Sequence, residues 1–119
     1  MLYIRHPSCL ENLADVKNWT LKQLVYWYGN KEYPIHFYTN NYISNLVFVK
    51  GTVRQQLNTT DPYIILDKSL IPSGTVVIPT FYSTNNATAN HLIIKSDGKI
   101  SYKGTQLDHN HFAYMYLTI

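Results

Sequence analysis

The sequence predicts a mainly β protein, an antiparallel β-sandwich of jelly-roll-like arrangement that is preceded by one N-terminal α-helix. Two observations support this prediction. After Tyr33, short runs rich in β-branched and aromatic residues are separated by turn residues at intervals of roughly 8 to 12, which is typical of an all-β domain. Before it, apolar residues recur three or four positions apart, the period of a helix. We therefore divide the chain into an N-terminal helical segment, residues 1–32, and a β-sandwich domain, residues 33–119.

The N-terminal helix is predicted from its start and stop signals as well as its period. Ser8 and Glu11 have the spacing of a capping box, and Gly29 with Asn30 supplies a stop after the last apolar residue, Tyr28. Such a helix must bury its apolar stripe, either on its own domain or against copies of itself in a short coiled coil. The aromatic run "LVYWYG" leaves the alternative that this stretch is a strand.

Two positions give local expectations for the β part. Asp97 and Gly98 tolerate the positive φ angles of a two-residue hairpin loop, which pairs Ile94 with Ser101. Pro79 has no backbone N–H to donate, so the strand around it is expected at a sheet edge or with a bulge.

Composition excludes several classes of protein. The chain has 119 residues, enough for one domain, and only 14% are charged, against roughly 25% in an average domain. The net charge of +3 comes from scattered lysines and arginines, so we expect no nucleic-acid partner. Cys9 is the single cysteine, which excludes an intrachain disulfide and a cysteine-based zinc site. Without a signal-like start or a long apolar run, we expect synthesis in a cytoplasm and no membrane insertion.

Carboxylates are too few to indicate an enzyme. The sequence has seven aspartates and glutamates in total and no "GxSxG" motif. Asp67 and Asp108 could in principle meet and act as acid and base on a glycosidic bond, but no feature of the sequence indicates that they do. We therefore predict a non-catalytic domain.

Tyrosine is the most distinctive feature of the composition, with eleven tyrosines beside two tryptophans and four phenylalanines. Tyrosine and tryptophan combine an apolar ring with a polar tip, which suits sugar rings and protein interfaces. Asparagine-rich runs such as "YTNNY" and "TNNATAN" add amide groups that match hydroxyls. We expect most tyrosines to pack in the sheet, and Tyr38, Tyr42, Tyr82 and Asn85 to face a ligand.

His109 and His111 are candidate metal ligands. Residues two apart in a strand point to the same side, so the two imidazoles would share a face. Two imidazoles cannot complete a metal site, whereas three chains around an axis could supply six nitrogens. The alternative is two partly exposed histidines in a loop before the last strand. No cofactor is expected apart from this metal.

The stretch from about Val47 to Ile119 resembles a known family. Its "LVFVKGTV", "LIPSGTVVIPTF" and "HLIIKSDGKISYKG" runs, followed by a terminal hydrophobic strand, are similar to the C-terminal head domain of bacteriophage tail-fibre or baseplate receptor-binding proteins, from phages of Gram-positive hosts.

The resemblance implies a virion protein, assembled in the host cytoplasm, that attaches to a host cell-surface glycan without altering it. It implies a homotrimer, other virion tail proteins as partners, and a stalk or collar role for residues 1–32. Some trimeric fibre tips hold metal through H-x-H strands on the axis, which would place His109 and His111 there. Two alternatives are a structural trimerisation or spacer domain of a fibre or baseplate, and a small polysaccharide-degrading enzyme.

Overall fold

The computed structural model describes residues 16–55, 64–81, 87–104 and 109–119. Seven strands account for 55% of the described structure, and three short 3-10 turns account for the 10% that is helical. The strands are β1 (Trp19–Tyr26), β2 (Pro34–Asn40), β3 (Leu46–Val53), β4 (Val76–Phe81), β5 (Ala87–Ile94), β6 (Ile100–Lys103) and β7 (Asn110–Leu117). The prediction of a mainly β protein is confirmed.

All seven strands form one antiparallel sheet in the order β1-β2-β3-β7-β4-β5-β6, curled into a half-barrel. The described strands therefore form a single curved layer rather than two packed sheets. Within the described ranges, no helix is long and apolar enough to cross a membrane.

The N-terminal helix is wrong from Trp19 onward, because Trp19–Tyr26 is β1 and pairs with β2 along its length. The alternative that "LVYWYG" is a strand is confirmed for Leu24–Tyr26, whereas Trp27–Gly29 is a 3-10 turn. A bulge explains the misleading period: the register shifts between Leu21 and Gln23, so Leu21 and Leu24 lie three apart yet share one face of the sheet. The predicted capping box lies in residues 1–15, outside the described residues.

Alternate residues of the strands point into the concave side and form the main core. Segment 64–75, between β3 and β4, covers this side with Leu66 and Leu70. The Tyr116 hydroxyl donates to the Leu70 carbonyl oxygen at 2.6 Å, which ties the segment to β7. Other buried members of the core are Ile35, Phe37, Val47, Val49, Val53, Ile78, Leu92, Ile94, Ile100 and Phe112.

The same segment is also tied to β1. The Gln23 side-chain amide donates to the Ile65 carbonyl oxygen at 2.9 Å and accepts from the Asp67 backbone N–H at 2.8 Å. Both ends of the amide are used, so segment 64–75 spans the open side of the half-barrel from β1 to β7. This placement brings the segment beside the end of the sheet where β2 ends and β3 begins.

The β5–β6 hairpin forms where it was predicted but in a different register. Its loop has three residues, 96–98, and is closed by the Lys95 N–H, which donates to the Lys99 carbonyl oxygen at 2.9 Å. Gly98, the last residue of the loop, is in the left-handed region at φ 84°. A type I turn followed by a glycine of positive φ is a common three-residue hairpin.

Burial explains why the observed register of β5 against β6 differs from the predicted one. Ile94 pairs with Ile100, not with Ser101 as predicted. Residues directly opposite each other share a face, and only the observed register places both isoleucines in the core.

The expectation at Pro79 is confirmed in its bulge form. The register of β4 against β5 shifts between Pro79 and Phe81. β4 lies inside the strand order, yet it pairs with β7 only through Phe81 and His111. This short pairing joins the two halves of the curled sheet.

Candidate functional site

The loop between β2 and β3, residues 41–45, presents an exposed aromatic side chain. Tyr42 is 78% exposed and its neighbour Ile43 is 55% exposed. The Asn40 side-chain oxygen accepts from the backbone N–H of Tyr42 at 2.9 Å and of Ile43 at 2.7 Å. We call residues 41–45 the Tyr42 loop; asparagine is well suited to capping a turn in this way.

The Tyr42 loop is held from both sides. On the β1 side, the Asn41 N–H donates to the Asn18 carbonyl at 2.8 Å, and the Thr20 hydroxyl donates to the Asn41 side chain at 2.6 Å. On the β7 side, the Thr118 N–H donates to the Asn45 carbonyl at 2.9 Å. A loop already held in place loses little entropy when its exposed ring contacts a ligand.

A cleft of about 350 Å³ lies beside the Tyr42 loop. Leu46, Val47, Ile71 and Ile119 supply its apolar part. Its polar part consists of hydroxyl, amide and ammonium groups from Thr39, Asn40, Asn45, Lys68, Ser69 and Thr118. A volume near the lower end of the usual 300–1,000 Å³ range suits a small unit such as one sugar ring.

Asp67 adjoins this cleft in a structural role. Its carboxylate accepts from the Ser69 hydroxyl at 2.6 Å and from the Ser69 backbone N–H at 3.0 Å, capping the 3-10 turn Lys68–Leu70. These bonds, the hydroxyl first, lower the pKa of Asp67. Asp108, its predicted catalytic partner, lies outside the described residues.

Tyr38 lies on a different surface, the outer face of the sheet. Its ring centroid is 5.9 Å from that of Phe48 and 6.2 Å from that of His36, and the Lys50 Nζ lies 6.0 Å from its centroid. Trp19 contacts Phe48 at 5.6 Å between ring centroids. We call this cluster the aromatic face; its members are Trp19, His36, Tyr38, Phe48, Lys50 and Met115.

The predicted ligand residues are therefore divided between two surfaces. Tyr38 belongs to the aromatic face, whereas Tyr42 is at the tip of a loop at the end of the sheet. Tyr82 and Asn85 lie outside the described residues, so their role as ligand contacts stays a prediction.

His109 and His111 lie side by side, with ring centroids 6.5 Å apart and ring planes 21° apart. His109 stacks on Tyr33 at 4.7 Å, and the His111 Nδ1 is 3.3 Å from the Thr52 hydroxyl oxygen. Among the residues that the structure describes, no group of three or more His, Cys, Asp or Glu side chains could hold a metal within one chain. A metal shared by three chains stays a prediction.

Reasoning from the sequence missed the cleft. Its lining comes from four places in the chain: the end of β2, the start of β3, segment 64–75 and the C-terminal residues. The only local signal was the asparagine run "TNN" before Tyr42, which is typical of a turn.

Compared with protein-family models and with curated protein sequences, the chain matches none of them.

Proposed function

We propose that this chain is a non-catalytic receptor-binding module of a phage virion, located on a tail fibre or baseplate, that attaches to a host cell-surface saccharide. The observation that carries the proposal is the exposed Tyr42 ring on a held loop beside a cleft of mixed polarity. The resemblance of residues 47–119 to phage head domains supports the same function.

Saccharides suit this arrangement for a chemical reason. A sugar ring offers apolar C–H groups to an aromatic side chain and hydroxyl groups to amides, hydroxyls and ammonium groups. The Tyr42 ring and the polar lining of the cleft supply both kinds of partner at one end of the sheet. Lys68 is the cleft's cation and can donate to sugar hydroxyls or to an acidic substituent.

The state of Asp67 does not fit the general acid of a glycosidase. A glycosidase needs a second carboxyl group with a raised pKa as its acid. Asp67 instead accepts two hydrogen bonds from Ser69 that lower its pKa and hold it as a cap. The enzymatic alternative predicts that the protein cleaves a wall polysaccharide, and Asp67→Asn would then abolish the cleavage.

The proposed assembly is a homotrimer that contacts other virion tail proteins, with residues 1–32 contributing a stalk or collar. In this proposal the complete head has a jelly-roll-like sandwich form, to which the described strands contribute one curled sheet with segment 64–75 across its concave side. Three chains also place three copies of the Tyr42 loop on one particle. Linked sites of this kind raise avidity without any new contact.

The direct test is saccharide binding by the whole chain. A glycan array followed by titration should identify a bound saccharide, and Tyr42→Ala should lower the affinity about tenfold, as expected for an anchoring aromatic side chain. Tyr26→Ala is the matched control, because Tyr26 is also exposed, at 37%, but lies on β1. Absence of binding to any saccharide at millimolar concentration would contradict the proposal.

A structural trimerisation or spacer domain is the second candidate. It is favoured by exposed apolar side chains on the strands, among them Leu21 at 49%, Leu24 at 40% and Leu117 at 53%. A light-scattering mass of three 13.8 kDa chains without saccharide binding would support this candidate. A mass of one chain would contradict the trimer in both proposals.

A further inference from the structure

Two asparagines that line the cleft beside the Tyr42 loop have their side-chain oxygens already occupied. The Asn40 oxygen accepts from the backbone N–H groups of Tyr42 and Ile43. The Asn45 oxygen accepts from the Thr118 hydroxyl at 3.2 Å. Because a backbone N–H can only donate, the Asn40 amide has one possible orientation, in which the loop uses its oxygen and leaves its NH2 group unused.

The nitrogen atoms of the cleft are therefore its available hydrogen-bonding groups. Within the described ranges, no hydrogen bond or ion pair uses Asn40 Nδ2, Asn45 Nδ2 or Lys68 Nζ. All three residues line the cleft, and no carboxylate is among its described lining residues. The only side-chain acceptors that remain there, in the part of the chain that the structure describes, are the oxygens of three hydroxyl groups. The cleft thus offers N–H donors in excess of acceptors.

Apolar side chains lie close to these donors. Leu46 follows Asn45 directly in the chain, and Ile71 follows Lys68 by three positions; all four residues line the cleft. Ile71 is half-buried and packs against the main core, which holds it in place. A ligand that fills about 350 Å³ at this position therefore contacts hydrocarbon as well as N–H groups.

We infer that the cleft binds an acetyl group carried on a sugar ring, as an N-acetyl or an O-acetyl substituent. The carbonyl oxygen of an acetyl group accepts hydrogen bonds and brings no donor of its own, and the methyl group is best placed against an apolar surface. A sugar hydroxyl, in contrast, brings a donor with each oxygen, and a buried donor without a partner is costly. This inference rests on the proposed saccharide binding and names the chemical class of the saccharide.

A carboxylate or phosphate group fits the same cleft less well. Either group would accept from the same donors, but neither has a methyl group to cover Leu46 and Ile71. Placing an anion against hydrocarbon costs free energy, and one exposed ammonium group, that of Lys68, offsets little of it. An acidic sugar is therefore one arm of the test.

Titration of the whole chain with small sugars, followed by amide chemical shifts in NMR spectra, tests the inference. N-acetylglucosamine carries an N-acetyl group, 6-O-acetylglucose an O-acetyl group, glucose neither, and glucuronic acid a carboxylate. N-acetylgalactosamine and galactose repeat the comparison with another ring stereochemistry. We expect one or more acetylated sugars to bind about tenfold more tightly than the parent sugar or glucuronic acid, because one hydrogen bond and one methyl contact are gained.

Asn40→Asp tests the donor without removing the cap of the Tyr42 loop. Aspartate keeps the oxygen that accepts from Tyr42 and Ile43, and it replaces Nδ2 with a second oxygen. The affinity for the acetylated sugar should fall about tenfold, and that for its parent sugar should stay within about threefold. Asn30→Asp is the matched control, since the Asn30 oxygen also accepts from a backbone N–H, that of Glu32 at 2.9 Å, and Asn30 is not among the described lining residues. It should change either affinity by less than about twofold.

Ile71→Val tests the apolar contact. Loss of one methylene group should weaken binding of the acetylated sugar about threefold and leave binding of the parent sugar unchanged. Thermal unfolding of each variant checks its fold. If Asn40→Asp does not fold, the preference of the wild type for acetylated sugars and its decrease in Ile71→Val decide.

Three outcomes would overturn the inference and leave the proposed function intact. They are equal binding of each acetylated sugar and its parent, tighter binding of glucuronic acid than of every acetylated sugar, and equal losses in Asn40→Asp and Asn30→Asp. Absence of binding to every acetylated sugar would also overturn it, and the proposed function then fails only if the glycan array shows no bound saccharide either.

Discussion

Gly51→Ala should destabilise the protein strongly, because there is no room for a methyl group at this position. Gly51 lies in β3 opposite Ile35 of β2. A Cβ atom there would overlap the Pro34 carbonyl oxygen, and it would lie 2.9 Å from the Ile35 Cα and 3.2 Å from the Phe112 Cζ. Two of these three neighbours are backbone atoms of the adjacent strand.

The size of the destabilisation in Gly51→Ala depends on which of the neighbouring atoms can move. The Phe112 ring could shift by a few tenths of an ångström, but the Pro34 oxygen and Ile35 Cα are fixed by the pairing of β2 with β3. Overpacking a core typically costs 1–3 kcal/mol, and we expect about 3 kcal/mol here because backbone must move. For a domain of this size, that lowers the melting temperature by about 12 °C.

Urea and thermal unfolding, followed by tryptophan fluorescence and circular dichroism, measure the change. Gly74→Ala is the matched control, since among the described residues a Cβ there has no atom within 4 Å beyond its two chain neighbours, and the backbone φ is not positive. It should change the free energy of unfolding by less than about 1 kcal/mol, toward greater stability, through the entropy of the unfolded chain. A Gly51→Ala midpoint equal to that of the wild type or of Gly74→Ala would refute the reasoning.

Three further predictions concern single side chains. Tyr116→Phe removes the hydroxyl that donates to the buried Leu70 carbonyl, so urea unfolding should show a loss of about 1–2 kcal/mol, and an unchanged midpoint would contradict that bond. Burial raises the pKa of Tyr116, so the folded protein should resist ionisation of this tyrosine in an alkaline absorbance titration, whereas the unfolded chain should not. The Ser69 bonds lower the pKa of Asp67 in the folded protein. The Asp67 carboxylate therefore stabilises the fold above its unfolded pKa, near 3.9, and this stabilisation is lost as the pH falls through the folded pKa. The urea midpoints of wild type and Asp67→Ala should therefore differ at pH 7 and approach each other as the pH falls through the folded pKa of Asp67, and a constant difference would contradict the cap.

The two candidate surfaces depend on the fold in different ways. The aromatic face requires only the pairing of β1, β2, β3 and β7. The Tyr42 loop and its cleft require segment 64–75 to be seated against the sheet as well, because Lys68, Ser69 and Ile71 line the cleft. Loosening that segment, as expected in Tyr116→Phe, should therefore weaken saccharide binding at the cleft.

Local patterns identified strands well and failed where a strand departs from strict alternation. The predicted runs "YPIHFYT" and "YISNLVFVKGTVRQQL" contain most of β2 and all of β3, since their β-branched and aromatic residues and the turn between them are local properties. β1 was mistaken for a helix because its bulge places Leu21 and Leu24 on one face at a helical spacing. The β5–β6 loop was predicted one residue too short because Asp-Gly serves both loop lengths, and only burial of Ile100 decides between them.

The amino-acid sequence by itself determined the β character of the described residues after Tyr33, the positions of their turns and the exclusion of carboxylates from the seven strands, because each depends on residue type and short-range spacing. Only the tertiary structure decided that His36 lies beside Lys50, that Tyr38 and Tyr42 occupy different surfaces, and that a cleft forms beside the Tyr42 loop. Those features depend on strand register and on the curl of the sheet. Register and curl are set by which apolar residues, distant in the chain, can be buried together.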